Sequence, residues 1–220
     1  RGASAAYVNA VIPHFSYARS DKKDAPRISI GARLVADLLA ASGATRVVTM
    51  ALHTPQAHGF FSMPVDHLTA IDTLAQHFRG YDLSKTVVVS PDFGNAKVAG
   101  DFAHRLGVPM AAGSKRRLAD DRVVIDAIVG DVRGKDVIIL DDEIATAGSM
   151  MELIGCLKDE QVGRISLACT HGLFTGNAVE RLASEPRIHE IVTTNTVPHP
   201  QGLALPNLVE LSVAPLFAEA

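Results

Sequence analysis

Residues 137–150 read Val-Ile-Ile-Leu-Asp-Asp-Glu-Ile-Ala-Thr-Ala-Gly-Ser-Met. A β-branched run ends in two carboxylates, Asp141 and Asp142, and passes through small and hydroxyl residues into a predicted helix. Thr146, Gly148 and Ser149 would bring backbone N–H groups and hydroxyls to that helix N-terminus, a natural cradle for phosphate. Two adjacent carboxylates suit a sugar, because each accepts hydrogen bonds from vicinal hydroxyls. The spacing alone is equally consistent with a polar strand-to-helix turn carrying acidic caps.

The elements that must position this turn follow from periodicity. Strands are predicted at residues 7–13, 46–50, 86–90, 136–140, 164–170, 188–193 and 208–213. Between them, Ile30, Leu34, Val35, Leu38 and Leu39 recur at helical spacing and stop at Gly43. Further helices are predicted at 68–79, at 96–106 before Gly107, and at 149–159, where Met150, Leu153, Ile154 and Leu157 share one face. Continuous β-branched strands alternating with such helices predict an α/β fold with mainly parallel sheets. Ligands in such sheets bind beyond the carboxyl ends of the strands.

The 220 residues carry 47% apolar and 20% charged side chains, which excludes a disordered segment. The formal charge of −3, with 21 basic against 24 acidic residues, argues against a general nucleic-acid binder, and the absence of Trp against a base-stacking platform. Two cysteines without CxxC spacing exclude a disulfide framework and fit a reducing, cytoplasmic compartment. No apolar run is long enough to span a membrane. The chain opens on Arg1 with the pattern of a helix tail entering a strand, and closes with a helix just begun, as expected of an interior piece of a longer protein.

Three further segments decide between functions. They are Phe15-Ser16-Tyr17-Ala18-Arg19-Ser20-Asp21-Lys22-Lys23-Asp24; Leu52-His53-Thr54-Pro55-Gln56-Ala57-His58-Gly59-Phe60-Phe61 with Pro64-Val65-Asp66-His67-Leu68; and Ser90-Pro91-Asp92-Phe93-Gly94-Asn95, followed by Lys115-Arg116-Arg117. Read alone, the basic run is a solvated turn. Ala112-Gly113-Ser114 before it and Asp120-Asp121 after it predict a mobile loop that could close on a nucleotide.

Together with the acid-pair turn, these segments resemble the ribose-phosphate diphosphokinase (phosphoribosyl diphosphate synthetase) family, in order and over essentially the whole chain. The resemblance implies two phosphoribosyltransferase-type domains. Residues 1–67 would be the remainder of the N-terminal domain, incomplete at its start; 68–213 the C-terminal domain; and 214–220 the beginning of a C-terminal helix. The implied reaction moves the β,γ-diphosphoryl group of ATP onto the 1-hydroxyl of ribose 5-phosphate, with AMP leaving. Charge develops on the phosphoryl oxygens, so cations and Mg²⁺ are the expected catalysts.

By the resemblance, Lys115 and Arg117 are the catalytic cations. Asp141 and Asp142 hold the ribose hydroxyls, and Ala145, Thr146, Ala147, Gly148 and Ser149 hold the 5-phosphate. Arg19, Ser20, Asp24 and His53 bind nucleotide, with His53 and Asp92 at Mg²⁺. Asp92 is the more natural direct ligand of a hard cation. His77, His104 and His189 are read as structural. The family assembles as homo-oligomers, often hexamers, and no nucleic-acid or membrane partner is expected. The family usually has Asp where this chain has Ala51, often Gln at Ser20, often an acid at Ser62, and in many members Asp at Ala145. A non-catalytic regulatory homologue and a phosphoribosyltransferase that consumes the sugar diphosphate are the rival readings.

Overall fold

A computed structural model describes residues 1–119, 122–200 and 202–220, with side chains given outside 115–126. The chain forms two compact units, residues 1–70 with 212–220 and residues 71–211.

The larger unit holds a seven-stranded sheet in the order β10-β9-β8-β7-β4-β5-β6. Its strands are β4 (Thr86–Ser90), β5 (Met110–Ala119), β6 (Arg122–Val129), β7 (Asp136–Ile144), β8 (Ile165–Gly172), β9 (Ile188–Thr194) and β10 (Leu208–Leu211). Every pairing is parallel except that of β5 with β6. Alternation along the strands divides the core. Val87, Val89, Val137, Ile139, Leu167 and Cys169 pack with Leu153, Ile154 and Leu157 of α4 (Gly148–Asp159) and Leu182 of α5 (Ala178–Ala183). Val88, Ile138, Leu140 and Ala168 pack instead with Leu74 and Phe78 of α2 (Ile71–Phe78) and Phe102 of α3 (Ala96–Leu106). β4, β7 and β8 are therefore apolar on both faces, which is why their sequences read as unbroken apolar runs. Gly107 ends α3 in the left-handed region at φ 68°, as its position after the periodic segment predicts.

The smaller unit has a three-stranded parallel sheet, β1 (Asn9–Ile12), β2 (Arg46–Met50) and β3 (Val65–Leu68), in that order. Helix α1 (Gly31–Ala41) buries Ala32 and Ala36, with Val35 and Leu39 partly buried beside them. Leu34 and Leu38 are 56% exposed, so the buried stripe is rotated from the one the leucine spacing marks most strongly. Helix α6 (Ala214–Glu219) packs Leu216 and Phe217 against Met50, Ala70 and Val213.

Several boundaries differ from the sequence expectation. Leu68 ends a strand and does not begin a helix, because residues 65–68 pair with β2. β7 runs four residues past Leu140, since its pairing with β8 continues to Ile144 opposite Gly172. The loop expected after Ala112 is, in its described backbone, an antiparallel hairpin, with Ala112 opposite Val129 and Ala119 opposite Arg122. Asp120 and Asp121 lie outside the described residues.

Candidate functional site

In the larger unit the carboxyl ends of β4 and β7 bring three acidic residues into one neighbourhood. Asp141 and Asp142 lie within the last four residues of β7, where the backbone N–H of Asp142 donates to Asp141 Oδ1 at 3.0 Å. Burial drives the Asp141 carboxyl well above its usual pKa, and the neighbouring charges of Asp142 and Asp92 push in the same direction. Asp92 follows β4 in a tight turn. The Ser90 hydroxyl donates to the Asp92 carbonyl at 2.7 Å, and Asp92 Oδ1 accepts the Asn95 N–H at 3.1 Å. The Asn95 amide then donates to the Leu140 carbonyl at 3.1 Å, tying this turn to the end of β7. Cys169 lies opposite Asp141 on β8. Burial, reinforced by the Asp141 charge, pushes its thiol up to about 12, which leaves it an inert core group at neutral pH.

The turn from β7 into α4 holds the five residues expected at phosphate. Thr146 is exposed, Ala145, Gly148 and Ser149 are half-buried, and Ala147 is buried. Ala147 takes φ 59° and is the N-cap of α4, which begins at Gly148, one residue before the expected start. A left-handed alanine costs about 1–2 kcal/mol, so the surrounding structure must hold it there. No acidic residue occupies the first turn of α4, and no side chain caps it by a hydrogen bond.

Lys115 and Arg117 lie on β5, paired by backbone with Ile125 and Val123 of β6; their side chains lie outside the described residues.

In the smaller unit two loops share a small core at the carboxyl ends of β1 and β2. Phe15 and Ala18 from the first pack with Leu52 and Ala57 from the second, and the Phe15 and Phe61 rings meet edge to face at 5.5 Å. The Thr54 hydroxyl donates to Asp21 Oδ2 at 2.7 Å, joining the loop that carries Arg19 and Asp24 to the one that carries His53. Arg19, Asp24 and His53 are all exposed. Ser20 is engaged within the fold: its Oγ accepts the Gly31 N–H at 2.9 Å and so caps α1 from a distant loop. Ala51 adopts φ 44° just before Leu52.

Three residues take supporting roles that the sequence alone does not assign. His67 accepts the Leu52 N–H at Nε2 over 2.8 Å, next to His53. The Thr175 N–H and Arg181 Nη1 donate to carbonyls of the β7–α4 turn, at Ala145 and Thr146. Nothing in their local pattern marks them, because their partners lie far away along the chain. His77 sits within 2.9 Å of the buried Glu190 carboxylate, in keeping with a structural histidine. A cavity of about 20 Å³, lined by Tyr81, Asp136, Arg164 and Ser166 among others, lies at the opposite, amino-terminal ends of β4 and β7.

No three His, Cys, Asp or Glu side chains among the described residues form a ready metal cluster. Mg²⁺ does not require one, since it is held by one or two carboxylates together with water and substrate phosphates. The donor chemistry of Asp92, Asp141 and Asp142 fits such an ion, and their mutual proximity is unfavourable for carboxylates without a cation. No helix among the described residues is long and apolar enough to cross a membrane.

Comparison with known proteins identifies the family. Residues 1–43 match the N-terminal domain of ribose phosphate pyrophosphokinase, and residues 121–220 match the phosphoribosyl synthetase-associated domain. The chain is 60% identical over 220 residues to a ribose-phosphate pyrophosphokinase homologue of Streptomyces coelicolor, covering 100% of this chain and 69% of that protein. It is 49% identical to the ribose-phosphate pyrophosphokinase of Deinococcus radiodurans, covering 100% and 70%. The crystal structure of phosphoribosylpyrophosphate synthetase from Mycobacterium smegmatis superposes with a TM-score of 0.90 at 41% identity, over 98% of this chain and 70% of that one. With relatives this similar along its whole length, the chain belongs to the ribose-phosphate pyrophosphokinase family.

Proposed function

We propose that the chain carries ribose-phosphate diphosphokinase activity. The 1-hydroxyl oxygen of ribose 5-phosphate attacks the β-phosphorus of ATP, the bridge between the α- and β-phosphorus breaks, AMP leaves with the bridging oxygen, and the hydroxyl proton passes to the medium. The products are phosphoribosyl diphosphate and AMP, a supply of activated ribose for nucleotide biosynthesis.

The observation that carries this reading is the β7–α4 turn. It offers two carboxylates for hydroxyls and, directly after them, an uncapped helix start for a phosphate. Asp141 and Asp142 accept the sugar hydroxyls, and Ala145, Thr146, Ala147, Gly148 and Ser149 receive the 5-phosphate. Residues of the smaller unit, Arg19, Ser20, Asp24 and His53, are read as the nucleotide side. The Ser20 backbone then matters more than its hydroxyl, which Gly31 already uses. Lys115 and Arg117 supply positive charge to the diphosphoryl group in flight. By the family resemblance Asp92 and His53 are the residues assigned to Mg²⁺, which would neutralise phosphate charge when bound. The two free cysteines favour the cytoplasm, and a homo-oligomer is expected, as the family resemblance implies.

The test is to incubate the protein with ATP, Mg²⁺ and ribose 5-phosphate and to follow AMP and phosphoribosyl diphosphate together. Equal amounts of both products support the assignment. Absence of both across a range of Mg²⁺ and phosphate concentrations overturns it, and co-purification with a second, active homologue would then point to a regulatory subunit.

A further inference from the structure

We propose that Arg181 is a positioning residue for the 5-phosphate of the sugar, acting as the last support of a rack that aims the phosphate turn; this rests on the assignment of that turn to ribose 5-phosphate. The rack is the loop between β8 and α5. The Leu173 and Phe174 N–H groups both donate to the Ile144 carbonyl at 3.0 Å. The Thr175 N–H donates to the Ala145 carbonyl at 2.9 Å. Arg181, on α5, completes the series with Nη1 donating to the Thr146 carbonyl at 3.1 Å.

Three successive carbonyls, at 144, 145 and 146, are thus held on one side. All peptide bonds here are trans. In a trans peptide the N–H of the next residue points opposite to the carbonyl. The N–H groups of Ala145, Thr146 and Ala147 are therefore turned away from the rack, as a group, toward the side left open for an anion. Ala147 in the left-handed region continues this arc into the start of α4.

Arg181 differs from the rest of the rack in two ways. It is the only side chain in the series, so its support can be removed by substitution. It also brings a full positive charge to the turn: a Cβ built on Gly148 would lie 3.8 Å from Arg181 Nη1. A guanidinium so placed orients the Thr146–Ala147 peptide and favours an anion at the same turn.

The experiment compares the full chain with its Arg181→Gln and Arg181→Lys variants. Binding of ribose 5-phosphate and of ribose is measured by calorimetry, with initial rates at varied ribose 5-phosphate and ATP. Arg181→Gln is expected to weaken ribose 5-phosphate binding about tenfold, to leave ribose unchanged, and to raise the KM for ribose 5-phosphate without a matching change in the KM for ATP. Arg181→Lys is expected to recover part of the loss, since it keeps the charge but not the fork. Unchanged ribose 5-phosphate affinity, or an equal loss for ribose or ATP, overturns the proposal. Should Arg181→Gln fail to fold, Arg181→Lys carries the test alone: a loss of about threefold confined to ribose 5-phosphate supports it, and wild-type affinity overturns it. If the wild-type protein binds ribose 5-phosphate but makes no phosphoribosyl diphosphate, the proposed activity fails while this binding test still stands.

Discussion

The Nε2 of His67 accepts the backbone N–H of Leu52 at 2.8 Å, so β3 holds in place the loop that carries His53. An Nε2 that accepts must be unprotonated, with the ring proton on Nδ1. Partial burial of the ring, and the nearby His58 charge, hold the His67 pKa below its ordinary 6.5. The sign follows from linkage. A histidine whose folded pKa is depressed contributes stability that is present above 6.5 and lost as the pH falls through the lowered folded value.

Acid should therefore loosen the smaller unit through His67. The melting temperature of the wild type is expected to fall more steeply between pH 7.5 and pH 5 than that of His67→Gln, whose amide does not titrate. Since the ring keeps an exposed edge, the difference should be modest. Parallel pH profiles for the two proteins would show that His67 does not carry this linkage.

Asp141 predicts the opposite dependence. Its folded pKa is raised, above all by burial and then by Asp142. A carboxyl of this kind is best tolerated when protonated, and its ionisation costs stability as the pH rises from 3.8 through the raised folded value. Asp141→Asn removes the charge and retains an oxygen for the Asp142 N–H. At pH 7 the variant should melt a few degrees above the wild type and bind ribose 5-phosphate more weakly, by about tenfold. The gain in melting temperature should shrink toward pH 4. A variant that melts lower than the wild type at pH 7 would contradict the origin given for the shift.

The acid pair at the end of β7 and the turn into α4 were legible because their signal is local: an apolar run, two carboxylates, small residues and a helix lie within fourteen consecutive positions. The parallel sheet was legible for the same reason, since residues such as Val87, Val88 and Val89 face two helical layers at once. The β5–β6 hairpin was not, because Gly113, Ser114 and a basic run have the composition of a loop, and their strand geometry comes from pairing with residues up to 17 positions away. Leu34 and Leu38 misdirected the helix face because tertiary packing on α1 selects the small Ala32 and Ala36. The bond from the Gly31 N–H to the Ser20 hydroxyl had no local signature, since the two residues stand 11 positions apart. Arg181 and Thr175 have no local signature at all, since only the fold brings them to Thr146 and Ala145.

Gly172 tests whether the rack beneath the phosphate turn has room to move. A Cβ there would lie 2.7 Å from Phe174 Cε2 and 2.8 Å from Thr193 Oγ1. Phe174 is itself at φ 44° and buried in the main core, so it has little freedom to yield. Gly172→Ala should lower unfolding free energy by about 1–3 kcal/mol, read from urea melts. It should also weaken ribose 5-phosphate binding, because Phe174 carries one of the bonds to Ile144. Wild-type stability in the alanine variant would mean that the loop shifts without cost and does not act as a rigid support.

Lys115→Ala separates chemistry from folding. Lys115 lies on β5, near the edge of the sheet, paired by backbone with Ile125 of β6. That pairing uses main-chain groups, which alanine retains, so the melting temperature should stay within about a degree or two of the wild type. A cation aimed at charge that appears only in the transition state contributes to kcat and little to ground-state binding. Turnover is expected to fall by about 10²–10³, with the KM for ribose 5-phosphate nearly unchanged. Arg117→Ala should behave similarly, and the double variant should lose less than the product of the two single losses if both cations act on one diphosphoryl group. A drop in stability that accounts for the lost activity, or a change confined to KM, would remove Lys115 from the role of charge stabiliser.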